Sequence, residues 1–206
     1  MKYKVGSLFS GIGGIDLAFE NAKAKIVWAN EINKYACITY KLNFEKTNLF
    51  EGDIQNLNAK DLPDVDIITA GFPCQSFSSV GLGGGFNDPR GNLFFEIGRI
   101  AKEKNPRVLL LENVANLVKH DNGKTFDVIH AMLCGLGYYL KYQIMNAKEY
   151  GNLPQQRNRI YIIAFKNIED MNAFEFPEQI PLKLTAFDFF EKEKLDEKFY
   201  LNNHRK

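Results

Sequence analysis

Val5-Gly6-Ser7-Leu8-Phe9-Ser10-Gly11-Ile12-Gly13-Gly14-Ile15-Asp16-Leu17-Ala18-Phe19 is the stretch from which the rest of the sequence is best read. Val5–Phe9 suits a strand, and the residues from Ile15 onward carry apolar side chains at helical spacing. Between them lie Gly11, Gly13 and Gly14. A strand passing through a glycine turn straight into a helix is the opening unit of a βαβ fold. It brings backbone amides close to anything bound at the helix N-terminus. Taken alone, the turn is equally compatible with tight packing.

Working outward, the same alternation continues. Strands are expected near Val5–Phe9, Lys25–Ala29, Asp66–Ala70, Arg107–Glu112, Tyr139–Asn146 and Ile160–Phe165, with a weaker one near Asn48–Glu51. Ile15–Asn21, Lys34–Asn43, Leu93–Lys104 and Thr125–Leu136 have helical period and length. This pattern predicts an α/β domain with a doubly wound, mostly parallel sheet. The last two strands are joined by a turn-rich segment with Gly151 and Pro154, too irregular for a crossover helix, so an antiparallel edge strand is expected. Beyond Lys166 the pattern decays through Pro177 and Pro181, leaving a short amphipathic piece near Leu184–Phe190 and a charged end. The expected organisation is one domain over 1–166 and a tail over 167–206.

The 206 residues, 45% of them hydrophobic, suffice for one sizeable core. A net charge of +1 gives no general attraction to nucleic acid, so any phosphate contact must be local. No leader pattern opens the sequence and no apolar run approaches the ~18 residues of a membrane span, which predicts a soluble, cytoplasmic protein. Cys37, Cys74 and Cys134 form no paired spacing, and His120, His130 and His204 are scattered, so reduced thiols and no metal are expected.

Several residues suit chemistry. Glu31 ends the second strand at about the ~20-residue offset where an acidic residue meets a ribose diol in nucleotide-binding folds. Asp53, in Gly52-Asp53-Ile54, can accept a hydrogen bond from an amino group, although Gly-Asp is commonly a plain turn. Gly71-Phe72-Pro73-Cys74-Gln75-Ser76-Phe77-Ser78 leaves the fourth strand at its carboxyl end, where open α/β sheets place their sites. Cys74, set between proline and polar residues, reads as a nucleophile, whereas Cys37 and Cys134 lie in helical stretches and read as core filler. The glycine-rich Ser78–Gly91 reads as a lid. Glu112 and Asn113 end the fifth strand at the same sheet edge. Glu112 fits a catalytic carboxyl and a solvated one about equally. Arg157 and Arg159 alternate so as to share a strand face. Paired arginines suit a phosphate or a carbonyl oxygen, although a charged strand entrance is the commoner explanation.

In order and spacing, Phe9–Gly14, Glu31, Gly52-Asp53, Gly71–Ser78, Glu112-Asn113-Val114 and Gln155–Arg159 resemble the first motifs of the cytosine-C5 DNA methyltransferases. Arg90–Phe95 and His120–Gly123 resemble that family too, and the likeness spans about Lys4 to Phe165. The resemblance implies the Rossmann-like fold of S-adenosylmethionine-dependent methyltransferases, with S-adenosylhomocysteine as product and no metal. It implies that Phe9 stacks near the adenine and that Ser10, Gly11, Ile12, Gly13 and Gly14 cradle the methionine portion. Glu31 takes the ribose hydroxyls, Asp53 the adenine amino group, and Ile32 an adenine face. Ile54, Gly71, Pro73 and Leu93 line the same pocket. It further implies that Cys74 attacks carbon 6 of a flipped cytosine, that Glu112 with Arg157 and Arg159 holds the ring, and that Gln75, Ser78 and Asn113 contact DNA or the base.

Two departures accompany the likeness. Position 32, often aromatic in that family, is Ile32. Neither a target-recognition region nor the family's late segment is visible in Ala173–Lys206. A split or truncated enzyme of a restriction-modification system is therefore expected, acting on double-stranded DNA with a second polypeptide. Two rivals stand beside it: a transfer-RNA cytosine methyltransferase, and a non-catalytic subunit of the same fold. A nicotinamide dehydrogenase explains Gly11–Gly14 and Glu31 but leaves Cys74 without a role.

Overall fold

The computed structural model describes residues 2–73 and 93–196. In chain order the elements are β1 (Lys4–Leu8), α1 (Gly14–Asn21), β2 (Lys25–Glu31), α2 (Lys34–Asn43), β3 (Asn48–Glu51), β4 (Ile67–Gly71) and α3 (Leu93–Lys104). They continue with β5 (Val108–Val114), α4 (Lys124–Gly135), β6 (Tyr139–Asn146), α5 (Ala147–Tyr150), β7 (Asn158–Phe165) and α6 (Ile168–Ala173). Short 3-10 turns punctuate the connections, among them Ile54–Asn56 and Ala59–Asp61.

The strands form one sheet in the order β3-β2-β1-β4-β5-β7-β6. β1 lies parallel to β2 and β4, β2 to β3, and β4 to β5. The chain winds outward one way through β2 and β3 and the other way through β4 and β5. The order therefore reverses between β1 and β4, where a sheet of this kind opens a crevice at its carboxyl edge. β7 is antiparallel to β5 and β6 lies outermost beside it, so the last two strands are neighbours at one edge of the sheet, as expected from the turn-rich link between them, with β7 the inner of the two. The physical reason is a vacancy: the β5-to-β6 crossover through α4 skips a position, and the returning β7 fills it.

The strands alternate faces, and that alternation builds the core. Leu8, Trp28, Ile68, Ala70, Leu109, Leu111, Ile160 and Ile162 meet Phe94, Ile97 and Ile100 of α3 and Ile129 and Leu133 of α4. The buried residues of α3 recur every three or four positions, which is the stripe a helix needs to cover a sheet. Tyr40 and Phe44 cover Ala29 in a second cluster. Asn33 starts α2 by accepting bonds from the amides of Tyr35 at 2.9 Å and Ala36 at 3.1 Å. Gly6 lets the Trp28 indole cross β1, since a Cβ there would lie 2.1 Å from the ring. The indole N–H donates to the Pro63 carbonyl at 3.0 Å, so the buried ring leaves no polar group unpaired.

Residues 2–145 with 158–176 form one compact unit, and 146–157 with 177–196 a second. The sheet unit extends past 166 because α6 belongs to it: Arg107 clasps Asp170 through two bonds of 2.7 and 2.6 Å. Lys141 also donates to the Phe174 carbonyl at 2.6 Å. In the second unit Asn152 Oδ1 accepts from the Lys183 amide at 2.7 Å, and the Ile180 amide donates to the Glu149 carbonyl at 2.7 Å. A capping box of Thr185 and Asp188 opens a 3-10 turn over Ala186–Phe189.

Candidate functional site

Three strand ends on one side of the crevice build its first half. After β1, Phe9 turns into the left-handed region with φ of 54°, followed by Gly11 at 56° and Gly13 at 94°. Gly13 is required twice over, because a Cβ there would also lie 2.1 Å from the Phe44 ring. The Ser10 amide donates to the Asn30 carbonyl at 3.1 Å, and the Gly11 amide to Glu31 Oε2 at 2.8 Å. Glu31 Oε1 accepts from the Asn33 amide at 2.7 Å. One carboxylate, 9% exposed, therefore ties the glycine turn to the start of α2. Among the described residues the buried Ser10 hydroxyl has no hydrogen-bond partner, and a Cβ on Gly11 or Gly14 would meet none of their atoms within 4 Å. Ile12 and Ile32 stand 61% and 65% exposed, which is unusual for isoleucine beside a crevice.

Asn30 carries the construction across to β3. Its side-chain amide is buried and donates to the carbonyls of Phe50 at 2.9 Å and Gly52 at 3.0 Å. Gly52, at φ 147°, passes the chain to Asp53, whose Oδ1 accepts from the Gln55 amide at 2.9 Å and starts the 3-10 turn over Ile54–Asn56. Ile54 is 2% exposed and packs in the main core cluster. Leu93 begins α3 half-buried against the main core. Asn30 escaped the reading of the sequence. Its only signal is a polar residue ending the apolar run Ile26-Val27-Trp28-Ala29.

The second half is built by β4, β5 and β7. Gly71 pairs with Glu112, and a Cβ on Gly71 would lie 3.4 Å from Glu112 Oε2. Arg159 Nε lies 2.8 Å from Glu112 Oε1, and both side chains are 22% exposed. Asn113 is only 4% exposed. Its Nδ2 donates to the Phe72 carbonyl at 2.9 Å and its Oδ1 accepts from the Val114 amide at 2.8 Å. Both ends of that amide are thus engaged by backbone groups. Arg157 precedes β7, which starts at Asn158, so the two arginines do not alternate within one strand. Arg157 belongs to the second unit, where its carbonyl accepts from the Ala147 amide at 3.0 Å and its amide donates to Asn146 Oδ1 at 3.4 Å. Pro73 closes the described part of its loop. Cys74, Gln75, Ser78 and the expected lid over Ser78–Gly91 lie outside the described residues. His120–Gly123 forms a turn into α4, in which Asp121, Asn122 and Gly123 all take positive φ and His120 Nδ1 lies 2.6 Å from the Thr125 hydroxyl.

The fold is that of the S-adenosylmethionine-dependent methyltransferases. A Dnmt2 methyltransferase of S. pombe superposes with a TM-score of 0.73 at 30% identity, over 94% of this chain and 62% of that one. A Spodoptera frugiperda DNMT2 mutant superposes at 0.74 with 27% identity, over 96% and 62%. The chain belongs to the C-5 cytosine-specific DNA methylase family, whose model matches residues 3–205. It is 51% identical to the Type II methyltransferase M.Bsp6I of Bacillus sp. (strain RFL6) over 96% of its own length and 63% of that protein. It is 46% identical to M.HhaI of Haemophilus parahaemolyticus over 87% of its own length and 54% of that protein. The chain thus spans between about half and two thirds of the relatives it matches.

The residues present fit S-adenosylmethionine. Glu31 offers a carboxylate at a strand end to a ribose diol, exposed Ile32 offers an apolar face to an adenine, and the open glycine turn leaves room for the amino-acid end. The unpartnered Ser10 hydroxyl is a polar group waiting for a partner in the same turn. Among the described residues no cluster of His, Cys, Asp or Glu suits a metal, and no helix is long and apolar enough to cross a membrane.

Proposed function

We propose that this chain is the cofactor-binding and catalytic portion of a DNA cytosine-C5 methyltransferase. The observation that carries the reading is the pairing of Glu112 with Arg159 on the edge that Gly71 shares, on the strand leading to Cys74. Carbon 5 of cytosine is a poor nucleophile, and a thiolate adding to carbon 6 supplies the missing electron density. Cys74 is that thiol. An ordinary cysteine, with a pKa of about 8.5, is mostly protonated at neutral pH and needs a site that favours its thiolate. Glu112 hydrogen-bonds N3 and the amino group as negative charge grows on the ring, and Arg159 takes the carbonyl oxygen. S-adenosylmethionine, bound by Glu31, Asp53, Ile32 and the Ser10–Gly14 turn, supplies the electrophilic methyl group. The C5 proton and then Cys74 depart to restore aromaticity. On the proposed double-stranded DNA substrate the target base must leave the duplex for any of this.

The relatives are named Type II methyltransferases and are longer, so we place this chain in a restriction-modification system. The remaining length of such a relative, on the same or a second polypeptide, supplies target recognition and much of the phosphate neutralisation. The test has two arms. Calorimetry of the chain with S-adenosylmethionine should show one site. A duplex containing 5-fluorocytosine, offered with the C-terminal part of M.Bsp6I, should form a covalent complex that Cys74→Ser abolishes. Cofactor binding without any adduct would support the non-catalytic reading, and adduct formation with transfer RNA alone would move the substrate to RNA.

A further inference from the structure

We infer that Arg99 is a positioning residue of the cofactor site, acting through the turn that carries Asp53. Arg99 lies on α3, more than forty residues along the chain from that turn, with sequence separations of 45 and 42 to its two contacts there. Its Nη2 donates to the Ile54 carbonyl at 3.1 Å and to the Leu57 carbonyl at 2.8 Å. Glu96, one turn earlier on the same helix, accepts from Arg99 Nε at 2.6 Å and aims the guanidinium. A planar fork held at one edge and donating from another is a strut that a flexible ammonium reproduces only in part.

The position of the strut sets its role. Asp53 is the N-cap of the 3-10 turn over Ile54–Asn56 and Leu57 its C-cap, and the Ile54 carbonyl accepts from both the Leu57 amide and Arg99, so the guanidinium ties the start of the turn to its C-cap. Arg99 caps that end. Asn30 fixes the Gly52 carbonyl on the other side, so the Asp53 carboxylate is set between two anchors. The inference rests on the proposed function, in which Asp53 faces the adenine amino group. α3 provides an internal comparison. Lys104, on the same helix, donates to the Leu62 carbonyl at 2.6 Å and lies 3.0 Å from Asp64, strapping the same connector farther from Asp53. Both cations brace one segment, and only Arg99 braces the part bearing the cofactor residue.

The experiment compares Arg99→Met, Arg99→Lys and Lys104→Met by calorimetry with S-adenosylmethionine and by thermal melting without it. Arg99→Met should weaken binding roughly tenfold, the equivalent of losing one charge-assisted hydrogen bond. Arg99→Lys should restore part of the loss. Lys104→Met should lower the melting temperature while leaving the affinity within about twofold, near the precision of such comparisons. Should Arg99→Met fail to fold, Glu96→Gln loosens the same guanidinium and is measured in its place. Equal affinity losses for Arg99 and Lys104 variants, or none for Arg99→Met or Glu96→Gln, would overturn the inference. A wild-type chain that binds no S-adenosylmethionine would instead sink the proposed function, so the two failures are distinct.

Discussion

Arg159 reaches diagonally across the antiparallel β5–β7 ladder to set its Nε 2.8 Å from Glu112 Oε1. The register pairs Glu112 with Tyr161 and Val114 with Arg159, so the two partners sit two positions apart on one sheet face. The pair is held by strands rather than loops, and the carboxyl is therefore delivered in a fixed orientation. Glu112→Gln should cut methyl transfer to duplex DNA by about 10²–10⁴-fold, the usual worth of a positioned acid. Single-turnover transfer of labelled methyl, with the complementing part of M.Bsp6I present, measures this. Cofactor affinity should not change, and a parallel loss of affinity would mean that Glu112 serves the pocket rather than the ring.

Asn113 separates bracing from base contact. Its amide joins the Phe72 carbonyl to the Val114 amide, tying the exit of β4 to the end of β5. Asn113→Asp keeps the acceptor for Val114 and loses the donor to Phe72. Losing that buried hydrogen bond should cost about 0.5–1.5 kcal/mol in urea unfolding. The rate of adduct formation with 5-fluorocytosine DNA should fall while calorimetric affinity for S-adenosylmethionine holds. Unaltered stability together with weakened DNA binding would restore the base-contact role.

The strands and the main helices were legible because each strand is an apolar run ended by a turn residue and each helix repeats every three or four positions. Glu31, Asp53 and Glu112 were legible for a related reason: a polar residue that closes an apolar strand marks the carboxyl edge. What stayed hidden is pairwise. Nothing in the local sequence says that Gly6 makes room for Trp28, that Asn30 bonds the carbonyls of Phe50 and Gly52, or that Arg99 caps a turn far from its own helix. The start of β7 at Asn158, one residue after Arg157, has the same origin. Alternation fixes a face only once the strand start is known, and that start is set by pairing with β5.

Two glycines give the pairwise argument a measurable form. A methyl group on Gly6 would lie 2.1 Å from the Trp28 ring, and one on Gly13 equally close to Phe44. Gly6 has no positive φ, so Gly6→Ala tests overpacking alone and should cost about 1–3 kcal/mol. Gly13 adds the strain of φ 94°, so Gly13→Ala should cost more than Gly6→Ala. Guanidinium unfolding of the two variants and the wild type decides the order, and near-neutral values for both would contradict the packing described for β1 and α1.

Asp16, in the first turn of α1, offers the pH prediction. The Tyr40 hydroxyl donates to its Oδ2 at 2.6 Å, while Oδ1 is fully buried without a hydrogen-bond partner among the described residues. Burial raises the carboxyl above its ordinary pKa of 3.8, nearby Glu20 adds to the rise, and the bonds from Tyr40 and Ser7 only partly oppose it. A raised acid means that the folded state holds a proton the unfolded chain has already released. Its contribution to stability is whole below the unfolded value and is lost as pH rises through the folded one. Within that window the wild type should lose up to about 1.4 kcal/mol per pH unit from this single group. Asp16→Asn keeps an oxygen for Tyr40 and cannot ionise, so its stability relative to wild type should climb as pH rises from about 4 and level off above the folded pKa. Urea unfolding in parallel buffers reads the difference directly. Parallel pH profiles for the two proteins would show that folding leaves the Asp16 pKa unchanged and would overturn the assignment.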